Sequence, residues 1–221
     1  MMKRNKKQQM EAVPIPPFPQ DYREWRDLPA SFEEHKLIIN GHSVVEDWKQ
    51  GYMLRLAEVA GSKAEKVLEV GFGMGISAGY FQRFEIEEHI IVEANRSVYE
   101  RLVAFARSAP RRVVPILGFW EDVTGNIPDG SVSSILFDAC LLRESALRQS
   151  RAFFREAYRL LKKGGILTYY SGEAEDFSPQ HEEALREAGF RDIQKEVCEV
   201  NPPEGCLYWQ EKTLMVPIIF K

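Results

Sequence analysis

Three carboxylates and one run of glycines hold the chemistry that is readable in this chain. The segment Val67-Leu68-Glu69-Val70-Gly71-Phe72-Gly73-Met74-Gly75-Ile76 sets glycines where an apolar run gives way to a helical pattern. Glycine accepts the positive φ of a tight turn, and its missing side chain lets a ligand approach the backbone. A dinucleotide loop would carry glycine or alanine where Ile76 stands. Glu69, just ahead of the loop, suits a cationic or hydroxyl-bearing ligand better than a pyrophosphate. Glu93 closes the next apolar run, 93 − 71 = 22 residues after the first glycine. A carboxylate at that place takes the ribose hydroxyls of a nucleoside. Asp138 follows a fourth apolar run, Val132 to Phe137, where open α/β sheets put their ligands.

The elements that must position these groups follow from hydrophobic spacing. A helix is expected over Val44 to Val59, because Val45, Trp48, Tyr52, Met53 and Leu56 form one stripe. Lys66–Val70, His89–Glu93, Val113–Leu117, Val132–Phe137 and Ile166–Tyr170 read as short apolar strands. Helical stretches separate them, the longest carrying Leu147, Phe153, Phe154, Ala157, Leu160 and Leu161 and expected to stop at Gly164-Gly165. Strands of this kind between helices predict a parallel sheet covered on both faces. Ile193–Val200 and Thr213–Phe220 lack a helix between them and predict an antiparallel hairpin at the sheet edge.

Composition narrows the partners. The 221 residues carry 29 Lys+Arg against 33 Asp+Glu, a net charge of −4, which argues against nucleic acid as the main partner. No apolar run has the length of a membrane span, and none follows the basic start to complete a signal peptide. Cys140, Cys198 and Cys206 show no metal-ligand spacing, so no metal site and a reducing, cytoplasmic home are expected. His35, His42, His89 and His181 are scattered and read as surface or packing residues. Residues 1–30, rich in proline up to Pro19, are expected to form an arm or lid, with 31–221 as the single domain. Phe18, Tyr22 and Trp25 would give a lid something to bury.

Glu69 to Gly75 resembles the first motif of class I S-adenosylmethionine-dependent methyltransferases, and Leu160 to Leu167 resembles a later one. Trp120-Glu121-Asp122-Val123, Pro128-Asp129-Gly130, Glu187-Ala188-Gly189-Phe190 and Pro202-Pro203 with Cys206 and Tyr208 are similar to guanidinoacetate N-methyltransferase and its relatives. The resemblance implies a doubly wound, mostly parallel, seven-stranded α/β sheet and the cofactor S-adenosyl-L-methionine, released as S-adenosyl-L-homocysteine. Trp25 and Met53 would border the cofactor. Glu69 and the loop Gly71, Phe72, Gly73, Met74, Gly75, Ile76 would hold its methionine part. Glu93 would take the ribose with Ala94 and Asn95 nearby, and Phe119 and Trp120 would flank the adenine. Asp138 matches the catalytic carboxylate, which orients a guanidine nitrogen and takes its proton.

The departures from that family fall on the acceptor side. Its second clamping carboxylate corresponds to Lys49 here, with Glu46 expected one helical turn earlier and able to compensate. A threonine-serine pair after the fifth strand is replaced by Glu173 and Ala174 following Ser171-Gly172, and Ala139-Cys140-Leu141-Leu142 stands in place of tyrosine-proline. The expected acceptor is therefore a small molecule other than guanidinoacetate, with Glu46, Lys49, Asp138, Ser171 and Glu173 as its contacts. Two directions remain open, a longer cationic guanidine such as an arginine derivative or agmatine met by Glu173, or an anionic or electron-rich heterocycle bound by Lys49 and methylated on nitrogen or oxygen. Loss of the second carboxylate also admits a non-catalytic sensor of the cofactor, which retention of Asp138 opposes. A nicotinamide-dependent dehydrogenase is disfavoured by Ile76. Pairing into a homodimer is admitted by the resemblance and compelled by no stripe.

Overall fold

The computed structural model describes residues 19, 21–62, 64–139, 146–204, 206 and 209–221. The expectations placed on residues 1–18, Cys140 to Arg143, and Tyr208 lie outside them, as does the side chain of Tyr22. A two-turn 3-10 helix, Tyr22–Asp27, leads into a small antiparallel sheet of β1 (Ala30–Phe32), β2 (Lys36–Ile39) and β3 (His42–Glu46). The β2–β3 turn is Asn40-Gly41, with φ of 49° and 79°. Two successive left-handed residues are what a tight hairpin requires and what this residue pair readily adopts. The helix expected from Val44 therefore begins later. Val44 and Val45 belong to β3, with Val45 opposite Leu37, and a 3-10 turn (Asp47–Lys49) precedes α1 (Gln50–Gly61). β-branched residues favour the extended backbone, so the helical stripe holds only from Tyr52 onward.

The chain then alternates through β4 (Lys66–Val70), α2 (Ile76–Phe81), β5 (Glu88–Glu93), α3 (Arg96–Ser108), β6 (Arg112–Leu117), α4 (Trp120–Val123), β7 (Val132–Phe137), α5 (Ala146–Leu160), β8 (Leu161–Tyr169), α6 (Pro179–Ala188), β9 (Asp192–Glu199) and β10 (Thr213–Phe220). The seven strands from β4 onward make one sheet, ordered β6-β5-β4-β7-β8-β10-β9. Its first five strands are parallel, while β10 runs antiparallel to both β8 and β9. This is the expected doubly wound α/β sheet with its edge hairpin. Every residue of β7 is buried, as a central strand covered on both faces must be.

Two clusters cover the sheet. Phe153, Phe154, Ala157 and Leu160 of α5 and Leu185 of α6 pack with Leu68, Ile135 and Phe137. Tyr52, Met53, Leu56 and Ala60 of α1 pack with Phe81, Leu136, Leu214 and Val216. A third cluster ties the N-terminal sheet to the domain, with Trp25, Leu37 and Ile39 against Phe72, Val98, Leu102 and Phe119. One expectation about turns is corrected. Gly164-Gly165 does not follow the end of α5 but lies inside β8, in an irregular stretch between Leu161 and Ile166. Gly164 has φ 76°, and its N–H donates to the Lys221 carbonyl at 2.8 Å, so the bulge accepts the end of β10. Among the described residues, no helix is long and apolar enough to cross a membrane, and no cluster of three His, Cys, Asp or Glu side chains could hold a metal.

Candidate active site

Backbone hydrogen bonds continue past the strand ends and bring the loops together. Gly71 N–H donates to Val92 O (2.8 Å), Asp138 N–H to Val70 O (2.9 Å), Gly118 N–H to Glu93 O (2.9 Å) and Tyr170 N–H to Phe137 O (3.1 Å). Above them opens a cavity of about 280 Å³ at the carboxyl ends of the parallel strands, partly roofed by Trp25, Leu37, Ile39 and Val44. This is the crevice where open α/β sheets bind ligands.

Its floor is the glycine loop. Gly71 has φ 95°, and a Cβ there would lie 2.3 Å from the Asp138 carbonyl. Only glycine lets the loop pass so close to the start of the next segment. Phe72, Gly73, Met74 and Ile76 also line the cavity. Glu93 clamps this loop from the side, since Oε2 accepts the N–H of Phe72 (3.0 Å) and Gly73 (3.5 Å) and Oε1 that of Asn95 (2.7 Å). Burial raises its pKa, and those N–H donors work against the rise. Glu93 and Ala94 line the cavity on that side, Phe119 and Trp120 on the next. Trp120 is steadied edge-on against Phe153, 5.1 Å between centroids.

Asp138 enters the cavity from the end of β7, and Lys49, Met53 and Tyr170 line it as well. Burial raises the Asp138 carboxyl pKa; the Lys49 ammonium opposes this, and the Glu69 carboxylate adds to it. Lys49 Nζ stands 4.8 Å from the centre of the Tyr170 ring and 5.5 Å from that of Trp48, within cation–π range. Tyr170 is itself shifted upward by burial and by Asp138. A half-buried carboxylate beside a cation in an apolar crevice is a proton acceptor whose strength its neighbours set.

Six expected site residues lie outside the cavity lining, each for a visible reason. Glu69 is fully buried behind the loop, where it accepts a short hydrogen bond from Ser77 Oγ and lies 2.8 Å from His89 Nε2. Gly75, at φ 74°, caps α2 and donates its N–H to Phe72 O at 2.8 Å. Asn95 accepts from Val98 N–H and so caps α3, while its Nδ2 donates to Trp25 O and Leu28 O, both at 2.9 Å. Glu46 ends β3 and is not one turn before Lys49 on a helix; it accepts from Ser43 Oγ and Trp48 Nε1, each at 2.8 Å. Ser171 Oγ donates to Met215 O at 2.8 Å. Glu173 accepts from Ser178 N–H at 3.0 Å and meets His181 Nδ1 at 2.8 Å, which ties it to the start of α6. Glu46 and Glu173 are thus engaged within the protein and stand back from the cavity wall.

The structure adds Leu37, Ile39, Ser43 and Val44 from the N-terminal sheet, and Tyr170, to the cavity wall. The Asn40-Gly41 pair between Leu37-Ile38-Ile39 and Val44-Val45 was the available signal for that sheet.

Glycine loop, buried Glu93 carboxylate, aromatic flank and open sheet order together match the fold and crevice of the class I methyltransferases that use S-adenosylmethionine. The fit to the cofactor rests on the bare loop backbone at Gly71 and Gly73 and on Glu93 at the cavity edge. Residues 20–221 match the model of the guanidinoacetate N-methyltransferase family, and the chain belongs to that family. It is 27% identical to protein arginine N-methyltransferase 2 of Yarrowia lipolytica over 65% of this chain and 32% of that protein. With the Aspergillus oryzae protein of the same name it shares 26% over 87% of this chain and 50% of the other. The chain thus spans half or less of the length of these curated relatives. In fold it is similar to the O-methyltransferase TomG from Streptomyces achromogenes (TM-score 0.53, 15% identity, 80% and 82% of the two chains). Spermidine synthase from Thermotoga maritima is a second such neighbour (TM-score 0.60, 14% identity, 88% and 72%).

Proposed function

We propose that this enzyme methylates a nitrogen atom of a small acceptor other than guanidinoacetate. The observation that carries the reading is Asp138, a carboxylate of raised pKa that lines the cavity beside the glycine loop. S-adenosylmethionine supplies a methyl group already activated as a sulfonium, so the protein's task is alignment and proton removal. Trp25, Met53 and the Gly71–Ile76 loop exclude water and orient the donor; Asp138 orients the acceptor's N–H and takes its proton. The acceptor directions are a guanidine and a nitrogen heterocycle, and Lys49 in the cavity favours the second. Methylation of oxygen on such a ring is the competing chemistry. The chain is expected to act on a free small molecule in the cytoplasm, alone or as a homodimer.

The test is methyl transfer from labelled S-adenosylmethionine, read by mass spectrometry. The panel holds guanidinoacetate, arginine, agmatine, an arginine-bearing peptide and several nitrogen heterocycles and their phenolic counterparts. N-methylated product from a small acceptor is expected. Asp138→Asn should lower its formation at least about a hundredfold and leave S-adenosylhomocysteine affinity within a few-fold. Turnover that survives this change removes Asp138 as proton acceptor, and product on the peptide alone overturns the small-molecule reading.

A further inference from the structure

The charges on the cavity wall define what can enter it. Among the described lining residues the charged ones are Lys49, Glu93, Glu121 and Asp138. Glu93 is held by loop N–H groups and Glu121 follows Trp120, so, with the cofactor placed as the family resemblance implies, both face its nucleoside. Lys49 and Asp138 remain beside the methyl-accepting end, and their formal charges cancel. Lys49 is also the N-cap of α1, where a cation opposes the helix dipole and where small polar or acidic residues are favoured. Its ammonium is set against the ring of Tyr170, itself a wall of the cavity. A guanidinium placed on Asp138 would share this low-dielectric space with a second cation.

We infer that Lys49 sets the acceptor class: the reacting nitrogen enters uncharged, on a molecule whose carboxylate or comparable anionic group docks at the Lys49 ammonium. This rests on the nitrogen-acceptor reading above and narrows it. An amine or ring N–H then lies toward Asp138 with the anionic group toward Lys49. As the nitrogen lone pair attacks the methyl carbon, the N–C bond forms and the S–C bond breaks with its electron pair passing to sulfur. The N–H proton goes to the Asp138 carboxylate. Lys49 holds the acceptor through a group that does not react, so its contribution falls on docking and orientation.

Calorimetry on protein saturated with S-adenosylhomocysteine reads docking without turnover. The probes are anthranilate against 2-aminobenzamide and imidazole-4-carboxylate against imidazole-4-carboxamide, with methylguanidine as a cationic head. At least one carboxylate should bind about tenfold tighter than its amide, and methylguanidine should be the weakest ligand. Lys49→Met should erase the carboxylate preference and Lys49→Glu should turn it toward methylguanidine. Equal binding of both members of each pair to the unaltered protein overturns the inference, as does a preference that survives in Lys49→Met. The first comparison needs no variant, so a substitution that fails to fold does not shield the idea. Mass spectrometry of the same mixtures with S-adenosylmethionine separates the two readings. Carboxylate preference with the methyl on oxygen keeps the role of Lys49 and removes the nitrogen acceptor; N-methylation without charge preference does the reverse.

Discussion

At Asp138 two neighbours pull on one carboxyl. Burial lifts its pKa above the ordinary 3.8, and Lys49 draws it back. The group must be ionised to take a proton, so turnover rises as pH passes upward through its folded-state pKa. The acidic limb of kcat/KM is therefore expected above the range of an exposed aspartate. Lys49→Met removes the influence that lowers this pKa, so the limb should move to still higher pH. A pH–rate profile with a nitrogen acceptor checks both, and a limb that moves down contradicts the assignment. Gly71 is the second residue whose role can be read singly. Alanine there meets a backbone carbonyl at 2.3 Å with φ held at 95°. Gly71→Ala should weaken S-adenosylhomocysteine binding more than tenfold by calorimetry, because either the loop or the Asp138 backbone must move.

Among the elements, the N-terminal segment is held to the domain by an apolar cluster and by polar ties, of which Asn95 makes two. One side chain caps α3 and ties down two carbonyls of the segment that carries Trp25. Arg23–Asp122 and Arg96–Asp27 add exposed ion pairs, each worth little on its own. Asn95→Ala should cost about 2–3 kcal/mol by urea unfolding, from one cap and two hydrogen bonds, one buried and one partly so. Protease cleavage between residues 21 and 49 should rise with it; unchanged cleavage would mean that apolar packing alone holds the sheet. The same region marks where sequence reading ran out. β4, β5 and β7 are legible because strands buried on both faces read as unbroken apolar runs. The helical stripe from Tyr52 to Leu56 blurred into the β-branched Val44-Val45 ahead of it, which hid β3 and put Glu46 on the wrong geometry. That Gly71, Glu93, Phe119 and Asp138 would gather at one crevice was legible, since topology places the loops after parallel strands together. The position of Glu173 was not, because its tie to Ser178 and His181 depends on where α6 starts, which hydrophobic spacing does not mark.

Over the whole molecule, Tyr52 joins α1 to the seam between β8 and β10. Its buried hydroxyl lies 2.9 Å from Met215 O and 3.3 Å from Tyr169 O. Burial raises its pKa far beyond the working range, so the phenol stays protonated and this tie does not titrate. Tyr52→Phe should therefore lower stability by about 1–3 kcal/mol, by the same amount at pH 6 and pH 9, with cofactor affinity little changed. Chemical denaturation at the two pH values checks this, and a pH-dependent loss would show that the phenol ionises. The order β8-β10-β9 carries a consequence for the growing chain. β9 is made before β10 yet lies outside it, so on emerging from the ribosome it has no neighbour to join. It waits until Thr213–Phe220 is made, and the two strands then add as a hairpin. A messenger cut short anywhere between the codons for Glu199 and Thr213 would thus cost the sheet two strands, leaving β8 as a bare edge open to pairing with other nascent chains.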